Sequence, residues 1–237
     1  MMYQNLKLNK YEQDVILKYQ EKQLNGILGI PPKAKGLIIF AHGSGSSRFS
    51  IRNNFVAREL QKSGLATLLM DLLTPEEESD RGNVFNIGLL ADRLTAAKNW
   101  TSEQPATKTL PIGFFGASTG AGAALWAAAT DPVNVFSVVS RGGRPDLASE
   151  KLSLVVSPTL LIVGSEDTMV IDLNRQAFTQ MKCEKKLELI PKATHLFEEP
   201  GTLEQVARLS NQWFNSHLIS FKKPPRFHKE ADLRSSP

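Results

Sequence analysis

Ser118 sits in Gly116-Ala117-Ser118-Thr119-Gly120, a G-x-S-x-G pentapeptide. A hydroxyl between two such glycines fits a nucleophile carried on a turn too sharp for larger neighbours. The bare pentapeptide is a weak signal, and its plain alternative is a Gly-rich turn that packs a helix closely on a sheet. Context strengthens it. Residues 110–115 read as a buried strand and residues 121–129 as a small-residue helix. The serine therefore falls at a helix N-terminus, where free amides can hold a developing oxyanion.

A serine hydroxyl needs a base. Histidine is the usual one, and a carboxylate usually fixes its tautomer. The chain has four histidines, His42, His195, His217 and His228. His195 falls in a loop after the last expected strand, which gives the chain order serine, acid, histidine. His42 directly follows a strand and is expected to tie down a loop. His217 ends the last helix and His228 lies in the tail. Between Ser118 and His195, Asp167 directly follows a strand end in Gly164-Ser165-Glu166-Asp167. It is favoured over Asp146, with Glu166 third. Its alternative role is the N-cap of the next helix. The oxyanion hole needs two amides: Thr119, after the nucleophile, and Ser44 in His42-Gly43-Ser44-Gly45, chosen over Gly45. That Gly-Ser loop could instead cradle a phosphate, but it lacks the G-x-x-x-x-G-K-[ST] pattern and a nearby lysine. The chemistry so assembled calls for no metal and no cofactor.

These groups can meet only if the intervening chain brings them to one edge of a sheet. Residues 12–19 and 24–30 read as an antiparallel lead-in pair. Continuous apolar runs at 36–41, 65–72, 133–140 and 159–163, with 186–190, suit strands of a largely buried parallel sheet. Helical spacing covers 51–63, 87–100, 171–181 and 201–218, with a short helix ending near 152. The acidic stretch 74–83 reads as a solvated loop. Strands and helices in alternation predict an α/β fold, a mostly parallel sheet with helices on both faces. Ligands in such folds bind beyond the carboxyl ends of the strands, where every loop named above falls. One domain is expected over residues 1–220, followed by a basic tail at 221–237.

Composition narrows the class. Apolar residues make up 41% and charged residues 22%, ordinary values for a globular protein rather than a disordered one. The net charge of +4 is concentrated in the tail, which leaves a near-neutral body and argues against nucleic-acid binding. One cysteine, Cys183, excludes an internal disulfide. The polar first residues lack a signal-peptide core, and no apolar run approaches the length of a membrane span. A soluble, cytoplasmic protein with no membrane association is the expectation.

With these residues in place, the chain resembles the alpha/beta-hydrolase fold family over nearly all of residues 36–218. The stretches HGSGSSR (42–48), FGASTGAG (115–122), SRGGRPDLA (140–148) and ATHLFEEPG (193–201) are similar to a bacterial group in its small, dienelactone-hydrolase-like branch. Some members of that group are fused to a phosphoribosyltransferase, so the resemblance implies a functional link to one; no such segment lies within these 237 residues. Dienelactone hydrolase proper uses a cysteine nucleophile where this chain has Ser118.

Relatives with a lid domain usually insert it after the strand that follows the elbow helix. Here 18 residues separate Ser140 from Thr159, so no lid is expected. Arg141 and Arg144 fall in that interval. One of them is expected to hold a carboxylate or phosphate of an anionic substrate, the alternative being an Arg144–Asp146 ion pair. The reading is a serine hydrolase of a small ester, lactone or thioester. A peptidase or acyl transferase with the same residues, and a non-catalytic binding protein on the same fold, remain open.

Overall fold

The structure is a computed structural model that describes residues 7–221. The expected tail and His228 lie outside these residues, apart from Phe221. In chain order the elements are β1 (Glu12–Tyr19), β2 (Lys22–Gly29), β3 (Gly36–Ala41), α1 (Ile51–Lys62), β4 (Leu65–Met70), α2 (Pro75–Glu78), α3 (Arg81–Val84) and α4 (Ile87–Glu103). They continue with β5 (Ile112–Ala117), α5 (Thr119–Thr130), β6 (Val135–Arg141), α6 (Ser149–Leu152), β7 (Thr159–Gly164), α7 (Thr168–Gln180), β8 (Lys185–Ile190) and α8 (Thr202–Ser220). The eight strands form one sheet in the order β1-β2-β4-β3-β5-β6-β7-β8. β1 pairs with β2, and β2 with β4, antiparallel; every later pair is parallel.

The apolar runs explain this order. β3, β4, β5, β6 and β7 are buried along their whole length, as central strands covered on both faces must be. One face carries Ile39, Phe114 and Val138 under α4 and α5. The other carries Phe40, Phe115, Phe136 and Ile162 under α1 and α8. Phe40 and Phe115 stack across adjacent strands with ring centroids 4.8 Å apart, and Phe136 meets Phe214 of α8 edge-on at 5.9 Å. The outermost strands differ in character. β1 exposes Gln13, Asp14, Ile16 and Lys18, and β8 exposes Lys186 and Leu189. Residues 142–158, between β6 and β7, hold only a 3₁₀ turn (Pro145–Ala148) and α6, so no lid domain interrupts the fold there.

The acidic stretch 74–83 is largely exposed, as expected, but it is not a loop. It forms two one-turn helices, α2 and α3. Thr74 caps α2 in a reciprocal box: its hydroxyl accepts from the Glu77 amide while Glu77 accepts from the Thr74 amide, with Pro75 opening the turn. Glu77 also pairs with Arg93 of α4 at 2.7 Å and with Lys22 of β2 at 3.2 Å. Arg93 is buried against the Tyr19 ring. Counting charges signalled solvent, whereas the Thr-Pro-x-Glu spacing is a helix start that joins the lead-in hairpin to the main layer.

Two measurements test this framework. A Cβ at Gly120 would lie 2.3 Å from the Ala41 carbonyl oxygen and 2.5 Å from that of His42, both rigid backbone. Gly120→Ala should therefore destabilise by about 3 kcal/mol in chemical denaturation, the upper end of overpacking costs. Gly201→Ala, left-handed at φ 80° but facing open space, should cost about 1 kcal/mol. Equal midpoints for the two variants would contradict the packing. The second test concerns acid. Burial raises the Glu77 carboxyl pKa, but the Thr74 amide, Lys22 and Arg93 together outweigh that and hold it below the ordinary value. The stabilisation is then complete above the unfolded value of about 4.3 and is lost as pH falls through the depressed folded value. Urea midpoints of Glu77→Gln should decline less steeply below about pH 5 than those of the parent chain; parallel declines would show that the pair contributes nothing.

Candidate active site

The register of three central strands sets out the site. β3 pairs Ala41 with Gly116 of β5, and Ala117 pairs with Arg141 of β6, so three carboxyl ends finish side by side. Ser118 follows at φ 51° and ψ −123°, a left-handed conformation that a residue with a side chain adopts only under constraint. The constraint is visible. A Cβ on Gly116 would lie 2.4 Å from the Ala121 Cα, so only glycine lets α5 turn back so tightly. Gly120 presses on the β3 end in the same way. The Ser118 carbonyl accepts from the amides of Ala121 and Arg144, each at 3.0 Å, and its own amide reaches the Arg141 carbonyl at 3.3 Å. Gly43 closes against the serine, since a Cβ there would come 2.9 Å from the Ser118 Cβ.

Asp167 and His195 come together as expected. His195 Nδ1 lies 2.6 Å from Asp167 Oδ2. An ionised carboxylate only accepts, so Nδ1 carries the proton and Nε2 is left as an acceptor. Asp167 does occupy the N-cap position of α7, but its side chain makes no capping bond; the carboxylate is given to His195 instead. Glu166 instead accepts from the Ser165 hydroxyl. Asp146 forms a two-pronged ion pair with Arg144, through Nε at 2.9 Å and Nη2 at 2.8 Å. This is the ion-pair alternative for Arg144. His217 contacts the Trp213 carbonyl and Glu184, away from the elbow. Among the described residues, the Ser118 hydroxyl and His195 Nε2 have no hydrogen-bond partner, each other included.

The His195 loop is braced on several sides. Thr194 bonds Glu199 through both its amide and its hydroxyl, at 3.2 and 2.6 Å. Ser165 accepts from the Lys192 amide, and the Glu166 amide reaches the Ala193 carbonyl. Phe197 stands at φ 54°, buried beneath the loop. Gly142 fits under the histidine: a Cβ there would lie 3.1 Å from the His195 carbonyl oxygen and 3.6 Å from Nδ1. Apart from Thr194 and Glu199, which are 5 residues apart in one loop, these partners carry no local sequence signal, because their contacts join segments that meet only in the fold.

The oxyanion side holds a surprise. His42 does tie down its loop: Nδ1 donates to the Gly43 carbonyl at 2.9 Å, and Nε2 accepts from the Leu72 amide at 3.2 Å. Burial disfavours its charged form and lowers its pKa, which keeps Nε2 an acceptor. The Ser44 amide, expected as an oxyanion donor, instead gives its hydrogen to Thr119 Oγ1 at 2.9 Å. The Thr119 amide has no acceptor among the described residues. Beside this loop lies a cavity of about 370 Å³ lined by Ser44, Gly45, Ser47, Ser50, Arg52 and Glu78 among others. No group of three or more His, Cys, Asp or Glu among the described residues is placed to hold a metal ion. Cys183 contacts Thr159 Oγ1 and is partly buried, which raises its thiol pKa. No helix among the described residues is long and apolar enough to cross a membrane.

The dienelactone hydrolase family profile matches residues 24–222. A structure of a dienelactone hydrolase from Anabaena variabilis is 53% identical, with a TM-score of 0.83 over 87% of this chain and 98% of its own. Est1E from Butyrivibrio proteoclasticus, at 16% identity and a TM-score of 0.75 over 87% of this chain and 99% of its own, shares the fold. Two curated Mycobacterium tuberculosis proteins, from strains CDC 1551 and H37Rv, carry the name of a phosphoribosyl transferase. Each is 60% identical over 81% of this chain, which spans only 44% of their length. By sequence profile, close structural likeness and sheet topology together, the chain belongs to the dienelactone hydrolase family, on an alpha/beta-hydrolase scaffold.

Proposed function

We propose that the protein hydrolyses a carboxylic ester, lactone or thioester through Ser118, His195 and Asp167. The observation that carries the reading is the 2.6 Å His195–Asp167 bond, at the same sheet edge as a serine held at φ 51°. The hydrogen bond leaves Nε2 able to take a proton, and the turn leaves the hydroxyl without a competing partner.

In this mechanism Ser118 Oγ attacks the carbonyl carbon as its proton passes to His195 Nε2. Asp167 stabilises the imidazolium without taking the proton. The oxyanion is held by the Thr119 amide. The Ser44 amide joins it once the Thr119 hydroxyl turns away, exchanging a neutral acceptor for a charged one. Collapse expels the leaving group with the proton from His195. Water then adds to the acyl-enzyme, its proton again taken by Nε2, and the C–Oγ bond breaks to restore the serine. The absence of a lid between β6 and β7 suits small substrates that reach the site directly. The phosphoribosyl transferase name belongs to relatives of which this chain spans 44%, and no step of this mechanism draws on it.

Fluorophosphonate labelling with a panel of p-nitrophenyl esters tests the reading. The parent chain should label, and Ser118→Ala and His195→Ala should not. Asp167→Asn should keep the fold but lower kcat by about 10⁴-fold, because the histidine loses its fixed tautomer. A folded parent chain that neither labels nor turns over any ester would refute the proposal.

A further inference from the structure

The mechanism above assigns nothing to the cavity of about 370 Å³ beside the oxyanion loop. Its size lies at the lower end of small-ligand pockets, about 300–1,000 Å³. Two contacts fix where it lies. The Ser44 amide is bonded to the Thr119 hydroxyl, on the residue after the nucleophile. Arg52, which also lines the cavity, pairs at 3.1 Å with Glu198, which follows soon after His195 in the same loop. The cavity therefore borders both the oxyanion loop and the loop of the base. The alcohol of an ester departs on the side of that base, which returns its proton.

Its lining is rich in hydroxyls. The side chains of Ser44 and Ser46 make no hydrogen bond among the described residues. Those of Ser47 and Ser50 accept from the amides of Phe49 and Asn53, which leaves each its own proton to donate. Glu78 adds an acceptor. Its neighbour Glu77 is committed to Thr74, Lys22 and Arg93, whereas the exposed Glu78 carboxylate has no ion pair or hydrogen bond among the described residues. Glu78 also lines a narrower crevice with His42, Leu72 and Thr119, so it stands where the two spaces meet at Ser44 and Gly45. Ile51, 64% exposed, gives the larger cavity an apolar surface. A ligand that matches this lining must donate to Glu78 and exchange hydrogen bonds with the serines without net charge. Arg52 repels an ammonium and Glu78 repels a carboxylate. Alcohol groups meet the requirement, since each donates once and accepts twice. Arg141, the arginine expected from sequence to hold an anion, is buried with Nη2 3.3 Å from Asn53 Oδ1 and lines neither space.

We propose that this cavity receives the alcohol portion of the ester, and that this alcohol is a polyol or sugar whose hydroxyls donate to Glu78. The proposal rests on the hydrolase reading and narrows it to esters of polyhydroxy alcohols. Specificity follows from the unpaired groups: an alcohol lacking the extra hydroxyls leaves the carboxylate and the serines without partners, and loses to one that has them.

The acyl-enzyme reports on this cavity directly. Formed from p-nitrophenyl acetate, it gives its acetyl group to water or to an added alcohol. In the second case the C–Oγ bond breaks as the new ester bond forms, and the alcohol's proton passes through His195 to Ser118 Oγ. Glycerol and 1-propanol share a carbon skeleton and differ in their hydroxyls. The readout is glyceryl acetate formed against propyl acetate formed, per hydroxyl and at equal alcohol concentration, a ratio that cancels any general loss of activity. The parent chain should favour glycerol at least about 10-fold, and Glu78→Ala should remove that preference. Glu78→Gln, which keeps an acceptor oxygen, should retain part of it, and Ser46→Ala should lower it by a smaller factor. The ratio of kcat/KM for glyceryl monoacetate over propyl acetate should fall in the same order. Saturation-transfer NMR with methyl β-glucoside reads the cavity without turnover; its signal should persist in Ser118→Ala and vanish in Glu78→Ala. Equal use of glycerol and 1-propanol by a parent chain that hydrolyses esters, with no glucoside signal, would overturn the proposal and leave the hydrolase reading intact. Glucoside binding through Glu78 in a chain that fluorophosphonate does not label would instead overturn the hydrolase reading and leave the subsite standing.

Discussion

The contact on which the rest depends is the approach of Gly120 to the end of β3. With no side chain at that position, the first turn of α5 rests on the carbonyls of Ala41 and His42. That contact sets how far the serine projects and how near the His42 loop lies. It also explains why Ser44 and Thr119, 75 residues apart in sequence, share a hydrogen bond. The strained serine conformation is an effect of this packing. The helix cannot relax away from the sheet, because its small inner face of Ala121, Ala123, Ala124, Ala127 and Ala128 is fully buried there. Hydrophobic burial along the whole helix thus holds one residue in a conformation it would not choose alone.

The parts of the site that could be read from the sequence are those governed by order along the chain. Ser118, Asp167 and His195 each follow a strand end, and a parallel sheet places all such ends on one side. His42 and His195 both follow strand ends, and chain order, serine then acid then histidine, singled out His195. Other features lay beyond sequence reading for a physical reason: they are contacts between loops. The Thr119 hydroxyl on Ser44 and Asn53 under Arg141 both join segments whose meeting depends on the exact register of β3, β5 and β6. Arg141 and Arg144 show the contrast well. They are three residues apart, one at the end of β6 and one in the loop after it, and both were candidates for the same work. Arg144 meets an acid two residues on, whereas Arg141, at the last position of a buried strand, is turned toward the α1 side, where no acid waits.

Among the elements, continuous apolar runs identified the central strands to within about two residues at each end, because a strand covered on both faces has few polar positions to blur its limits. The acidic stretch after β4 is solvated as its charge density suggests, but its capping chemistry makes it helical where a loop was expected. Glu77 is one of three consecutive glutamates, and only its place three residues after Thr74 distinguishes it. Position decided, where composition could not, that this carboxylate would be drawn inward to Arg93.

The two outer strands have a further consequence. Each leaves a row of backbone donors and acceptors open, and each decorates that row with charge: Asp14 and Lys18 on β1, Lys185, Lys186 and Glu188 on β8. Another strand laid against either border would have to set its own side chains among these ions and give up their hydration. Among the described residues no ninth strand pairs with either border, and these charges oppose one there. A core so rich in exposed-on-unfolding apolar strands needs such borders, since they keep neighbouring copies from templating on one another while the interior is still assembling.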